Sequence, residues 1–169
     1  MILVDATPLY DLGQVGELDL LDAFEGDVVI PDAVRAEVSV EPAATNLERF
    51  VEENDVAGAD EEWESFVDDA LALLDATETT SDVVLVAALL AGRANGDDLA
   101  LVSDDTRLRA IAEGLGATVT GTFGVVVRAA TDDLYFSTGQ AKRVVRRTDH
   151  HGLQMTGTLR ERAIGEVDG

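Results

Sequence analysis

A chain of 169 residues with 46% hydrophobic side chains is long enough for one domain with a sizeable core, and too apolar to remain disordered. It has no cysteine, which excludes disulfides, thiolate metal sites and cysteine nucleophiles. The formal net charge is -22 and Lys142 is the only lysine among 12 basic residues, an acid-rich, lysine-poor balance that points to a halophilic protein. No apolar run approaches the roughly 18 residues of a membrane span, and no basic n-region precedes one. A cytoplasmic protein with no membrane partner is expected. Residues 1–140 hold 30 acids and 6 bases (-24), whereas residues 141–169 hold 4 acids and 6 bases (+2).

The first apolar run, Ile2-Leu3-Val4, ends in an acid, Asp5. Thr7-Pro8 then supplies a helix N-cap and a proline at the first helical position, so a buried strand opens straight into a helix that Gly16 ends. Residues 17–24 carry apolar side chains at 18, 20, 21 and 24, a helical stripe. Asp27-Val28-Val29-Ile30 reads as a second buried strand. Pro31 opens the next helix, with Val34 and Val38 inward and Glu37 at the border of that stripe.

A helix is expected over 45–53 and a short extended piece at Val56-Ala57. Asp60 then caps an amphipathic helix with Trp63, Phe66, Val67, Ala70, Leu71 and Leu74 on one face, Trp63 serving as a core anchor. Residues 82–91 are apolar nearly all round, which predicts a helix buried on several sides with Asp82 in its first turn. The third strand, 99–102, stops at Ser103-Asp104-Asp105 and is followed by a helix over 106–115. A fourth strand at 117–120 and an apolar helix over 123–130 come next, and two helices near 137–147 and 156–164 close the chain.

Acids thus follow the strands closely, and in a parallel sheet such positions converge at the carboxyl edge. Carboxylates packed together repel one another unless a cation sits among them. Hard oxygen donors without His or Cys point to Mg²⁺ or Mn²⁺. Such a site can activate a water and steady charge on a phosphoryl oxygen, the chemistry of metal-dependent nucleases. Other chemistries fit less well. No GxxxxGK[ST] or GxGxxG loop follows a strand, and Asp5-Ala6-Thr7 lacks the second aspartate of a haloacid-dehalogenase-like phosphatase. His150 and His151 are adjacent, so they cannot share a helix face as HExxH ligands do.

The opening Val4-Asp5-Ala6-Thr7-Pro8-Leu9 and the following Gly16–Leu21, together with Val29–Val38 and Leu101-Val102-Ser103-Asp104-Asp105, resemble a PIN domain. Gly116–Val125 and the two-helix tail resemble the PIN-like branch catalogued as a domain of unknown function related to toxin-like nucleases. The resemblance implies a Rossmann-like, three-layer α/β fold with a short, mainly parallel four-stranded sheet flanked by helices. It implies a PIN-like nuclease domain over residues 1–130, with a C-terminal helical extension over 131–169 packed on it. The implied activity is Mg²⁺- or Mn²⁺-dependent endoribonuclease cleavage of RNA, often by the toxin of a toxin–antitoxin pair. RNA, an antitoxin protein and a second copy of the chain in a homodimer are the partners that follow.

Carried over by position, Asp5 is the first acid and Glu37 the second. Asp105 fits the last acid, in a Ser/Thr-x-Asp pattern with Ser103 as the hydroxyl and Asp104 as an extra carboxylate beside it. Thr7 fits the small hydroxyl residue that orients the first acid. The branch opens its central helix with Gly-Glu; Ser81-Asp82 stands there, which makes Asp82 the third acid. On this reading Asp5 and Asp105 hold the metal directly, with Asp82 and Asp104 in the same set, and Glu37 and Asp82 bind or orient the attacking water. No basic side chain is evident near these acids. Lys142, Arg143, Arg146 and Arg147 are therefore the expected phosphate contacts. The competing reading is a non-catalytic PIN-like module that binds RNA or a protein partner.

Overall fold

Ile2, Leu3 and Val4 form β1 (Ile2–Val4), buried along its whole length, as strands of a parallel sheet covered on both faces are. The structure, a computed structural model, describes residues 1–58 and 60–131 together with Val144 and Arg146. Within it β1 joins β2 (Val28–Val29), β3 (Ala100–Val102) and β4 (Thr118–Thr120) in one sheet of order β2-β1-β3-β4. Every pairing is parallel: Leu3 lies beside Val29 and Leu101, and Val102 beside Val4 and Thr120. The extended piece at Ala57 bridges to Val29 at the outer edge of β2.

From β1 the chain moves to one side, to β2, and then crosses back to the other side of β1 at β3. The winding direction reverses between β1 and β3. In open α/β sheets the crevice outside the carboxyl ends of such a pair is where ligands bind.

Seven α-helices flank the sheet among the described residues: α1 (Ala6–Val15), α2 (Asp32–Glu37), α3 (Ala43–Glu53), α4 (Val67–Leu74), α5 (Ser81–Asn95), α6 (Thr106–Gly114) and α7 (Thr122–Thr131). The helix α1 packs on α3 and α7, and α5 packs on α4 and α6, while α2 touches both α1 and α5. The approach of α1 to α3 is close, because a Cβ on Gly13 would lie 3.1 Å from the Cα of Ala43. In α5, Val83 and Leu85 through Leu89 are fully buried, as its apolar circumference predicts.

Two stretches expected as α-helix are 3-10 helix instead: Leu18–Ala23 and Asp60–Phe66, with α4 beginning only at Val67. Their apolar anchors recur every third residue (Leu18, Leu21 and Phe24; Trp63 and Phe66), which matches three residues per turn rather than 3.6. Trp63 is buried against the core as expected. Among the described residues no helix is long and apolar enough to cross a membrane. The extension expected from residue 131, with the two closing helices and His150-His151, lies outside the described residues, apart from Thr131 at the end of α7, Val144, which is buried, and Arg146, which is exposed; all three are helical.

Candidate active site

Asp5 stands at the carboxyl end of β1, with its N–H donating to the Val102 carbonyl of β3 at 2.9 Å. It is also the N-cap of α1, its Oδ1 accepting from the Ala6 N–H at 2.7 Å. The cap expected at Thr7 is therefore two residues earlier, and Pro8 falls at the third helical position, where its missing N–H leaves no hydrogen bond unmade. Thr7 is exposed, and it makes no hydrogen bond to Asp5. The group that orients Asp5 is Ser103: its buried hydroxyl donates to Asp5 Oδ2 at 2.7 Å and accepts from the Asp105 N–H at 3.1 Å. One serine at the end of β3 thus ties the first acid to the last.

Asp105 repeats the arrangement. It is the N-cap of α6, with Oδ1 accepting from the Leu108 N–H at 2.7 Å. The two acids thus sit at the N-termini of two helices. Glu37 comes from the last turn of α2, and its Oε1 accepts from the Ser81 hydroxyl at 2.5 Å. Asp82 follows Ser81 in the first turn of α5.

The charges of these acids act on one another. Burial pushes the Asp5 carboxyl above its ordinary range; hydrogen bonds from Ser103 and Ala6 pull it back, and the charges of Glu37 and Asp105 push it up again. Asp82 is exposed as a residue, but its carboxylate is partly enclosed. That burial raises its pKa, and the charges of Asp5, Asp105 and Glu37 raise it further. Asp5, Glu37, Asp82 and Asp105, carried by four different elements, therefore share one field.

Asp104 does not join them. Its Oδ1 accepts from the Thr122 N–H at 3.0 Å and its Oδ2 from the Thr122 hydroxyl at 2.5 Å, so it is turned to the start of α7. A Cβ on Gly121 would collide with Asp104 Oδ1, so this contact requires a glycine there. Neighbouring residues of an extended chain point to opposite sides, which is why Asp104 and Asp105 part company. The charge that Asp104 acts on is Asp11 of α1, a buried carboxyl whose Oδ2 has no hydrogen-bond partner.

One basic residue near the acids was not foreseen. Arg107, in the first turn of α6, draws the Asp82 pKa down, and its guanidinium donates to the Leu74 carbonyl at the end of α4. Its place two residues after Asp105 is the signal in the sequence that could have found it. Of the basic residues expected to meet phosphate, Arg146 is exposed, and Lys142, Arg143 and Arg147 lie outside the described residues.

The donor set is all oxygen, and Asp105 Oδ2, Glu37 Oε2 and both Asp82 oxygens accept no hydrogen bond among the described residues. No group of three or more His, Asp or Glu side chains is drawn together to hold a metal ion among the described residues. A divalent cation of the Mg²⁺ kind takes one or two carboxylates and keeps several waters, so the residues present fit it.

The sequence profile of the DUF3368 family, described as a PIN domain, matches residues 1–168. No significant match to a curated protein or to a solved structure was found. With an all-parallel four-stranded sheet and a family match along nearly the whole chain, the protein belongs to the PIN-domain family, a nuclease-type module.

Proposed function

We propose that this PIN domain is a Mg²⁺- or Mn²⁺-dependent endoribonuclease that hydrolyses RNA phosphodiester bonds. The observation that carries the reading is the link of Asp5 to Asp105 through Ser103 at the carboxyl ends of β1 and β3, with Glu37 and Asp82 acting on the same acids and Arg107 the one basic influence on Asp82 among the described residues. The neighbouring carboxylates disfavour the charged forms of Asp5 and Asp82, and a divalent cation removes that cost.

Asp5 and Asp105 are the direct ligands in this reading, because both are fixed at helix N-caps and by Ser103. When bound, the cation supplies a more acidic water and charge compensation for the phosphoryl oxygens. Glu37 and Asp82 orient that water in line with the scissile phosphate and take its proton. Arg107 meets a substrate phosphate from the side of α6, and the exposed Arg146 is a further contact with the RNA backbone. Asp104 acts at one remove, by holding α7 in place.

The test is incubation of the protein with single-stranded and structured RNA and Mn²⁺ at high salt, beside Asp5→Asn. Cleavage by the parent that is lost in Asp5→Asn, and stopped by a chelator, is the expected result. No cleavage, or equal cleavage by the variant, overturns the reading and leaves a non-catalytic module that binds RNA or protein. As the toxin of a toxin–antitoxin pair, the chain arrests growth on expression, and the product of a neighbouring gene relieves the arrest. A homodimer is read by light scattering across a salt series.

A further inference from the structure

We infer that Ser81 is a positioning residue for Glu37, and that it does for the second acid what Ser103 does for the first; the inference rests on the proposed metal-dependent reading of this site. Glu37 is exposed at the end of a six-residue helix, so its long side chain has no packing to hold it in one rotamer. The one side-chain hydrogen bond it makes among the described residues is from the Ser81 hydroxyl to Oε1 at 2.5 Å, across 44 residues of sequence. Ser81 itself is well fixed. It is 8% exposed and begins α5, the most buried helix of the fold.

The contact does two things. It holds Glu37 toward Asp82, the next residue on α5, whose carboxylate lies in the field of Glu37 and of Asp5 and Asp105. It also occupies Oε1 and, among the described residues, leaves Oε2 without a hydrogen bond, so one oxygen is anchored while the other stays open for a cation or its water. An acid anchored in this way loses less rotamer freedom when it engages a ligand. Ser103 anchors Asp5 in the same sense, by a hydroxyl at the end of a buried element. The two serines come from α5 and from the end of β3, so each acid on one element is held by a hydroxyl on another.

Hydrogen-bond partners of metal-binding carboxylates are typically worth about 10-fold to 100-fold in metal affinity. Mn²⁺ binding, followed by the loss of the free-ion paramagnetic resonance signal, is measured for the parent, Ser81→Ala, Ser81→Thr, Glu37→Gln and the Ser81→Ala/Glu37→Gln double variant. Ser81→Ala is expected to weaken Mn²⁺ binding by about 10-fold while still melting cooperatively in the absence of metal, and Ser81→Thr, which keeps the hydroxyl, to recover most of the affinity. In the Glu37→Gln background Ser81→Ala is expected to add little, because the two residues act as one unit. Parent-like Mn²⁺ binding by Ser81→Ala, or an equal further loss in the Glu37→Gln background, overturns the inference while leaving the metal-dependent reading intact. Failure of the parent itself to bind Mn²⁺ overturns both.

Discussion

Asp11 offers the sharpest quantitative test of the structure, because it stands next to the site without belonging to it. It lies on α1, 2% exposed, with an Oδ2 that finds no hydrogen-bond partner. Burial, reinforced by the charge of Asp104, pushes its pKa from 3.8 up to about 7. A folded-state pKa above the unfolded value means that the native state holds the proton more tightly. The stability tied to this group is therefore complete below about pH 4 and is lost as the pH rises through about 7. One pKa unit is about 1.4 kcal/mol, so the roughly three-unit rise sets an upper bound of about 4 kcal/mol lost across that window. Asp11→Asn keeps the shape and removes the titration. Its stability relative to the parent is expected to rise by a few kcal/mol between about pH 4 and about pH 7, then level off. Urea unfolding of both proteins at constant salt across that range measures the difference. The other acids titrate in both proteins and cancel. A difference that stays flat with pH, or a variant that is the less stable of the two at about pH 8, refutes the reasoning.

Other outcomes follow from the same structure. Asp5 also has a raised pKa, chiefly from burial, so Asp5→Asn is expected to raise the melting temperature of the metal-free protein near neutral pH while abolishing cleavage. Ser103→Ala removes a buried hydrogen bond to a charged acid and is expected to cost about 1–3 kcal/mol at neutral pH by urea unfolding, and less in acid where Asp5 is protonated. Gly121→Ala drives Asp104 off Thr122, and loss of that cap is expected to destabilise the fold by about 1–2 kcal/mol. Arg107→Ala is expected to raise KM for RNA several-fold with a smaller change in kcat, since it removes a phosphate contact; the reverse pattern assigns Arg107 to the chemical step. With a net charge of -22, melting temperature is expected to climb as KCl is raised to about 1 M, where the Debye length shrinks to about 3 Å; an unchanged melting temperature removes the halophilic reading.

The sheet was legible because its signal is local. Ile2-Leu3-Val4, Val28-Val29 and Leu101-Val102 are short apolar runs closed by Asp5, Pro31 and Ser103, and each became a strand within a residue or two of its expected bounds. The same is true of α5, whose apolar circumference admits nothing but a buried helix. Where the reading missed, tertiary geometry decided. Thr7-Pro8 has the look of a cap followed by a first helical residue, yet the helix starts two residues earlier, because Asp5 has an oxygen at the Ala6 N–H. Arg107 was overlooked because its effect on Asp82 depends on α6 and α5 lying side by side. Ser81 looked like the residue before an acid, and only the folded chain brings Glu37 to it from 44 residues away.

Asp104 and Asp105 show how two adjacent acids divide their roles. The Ser-x-Asp pattern singles out Asp105 as the last acid, yet it leaves Asp104 in the metal set as an extra carboxylate beside it. In the fold each caps a helix, but different ones: Asp105 the start of α6, Asp104 the start of α7. An N-cap aspartate uses one oxygen on the helix and keeps the other, and this is the state of Asp105. Asp104 is turned to the start of α7 with both oxygens on Thr122, and its charge acts on Asp11 rather than on Asp5 or Asp82. The division predicts opposite behaviour of the two asparagine variants. Asp105→Asn keeps an oxygen for the Leu108 N–H, so it is expected to hold its stability and lose Mn²⁺ affinity. Asp104→Asn can accept only one of the two bonds from Thr122, so it is expected to lose about 1 kcal/mol of stability with Mn²⁺ affinity nearly unchanged. Equal loss of Mn²⁺ affinity in both would return Asp104 to the metal site and undo the distinction drawn from Thr122.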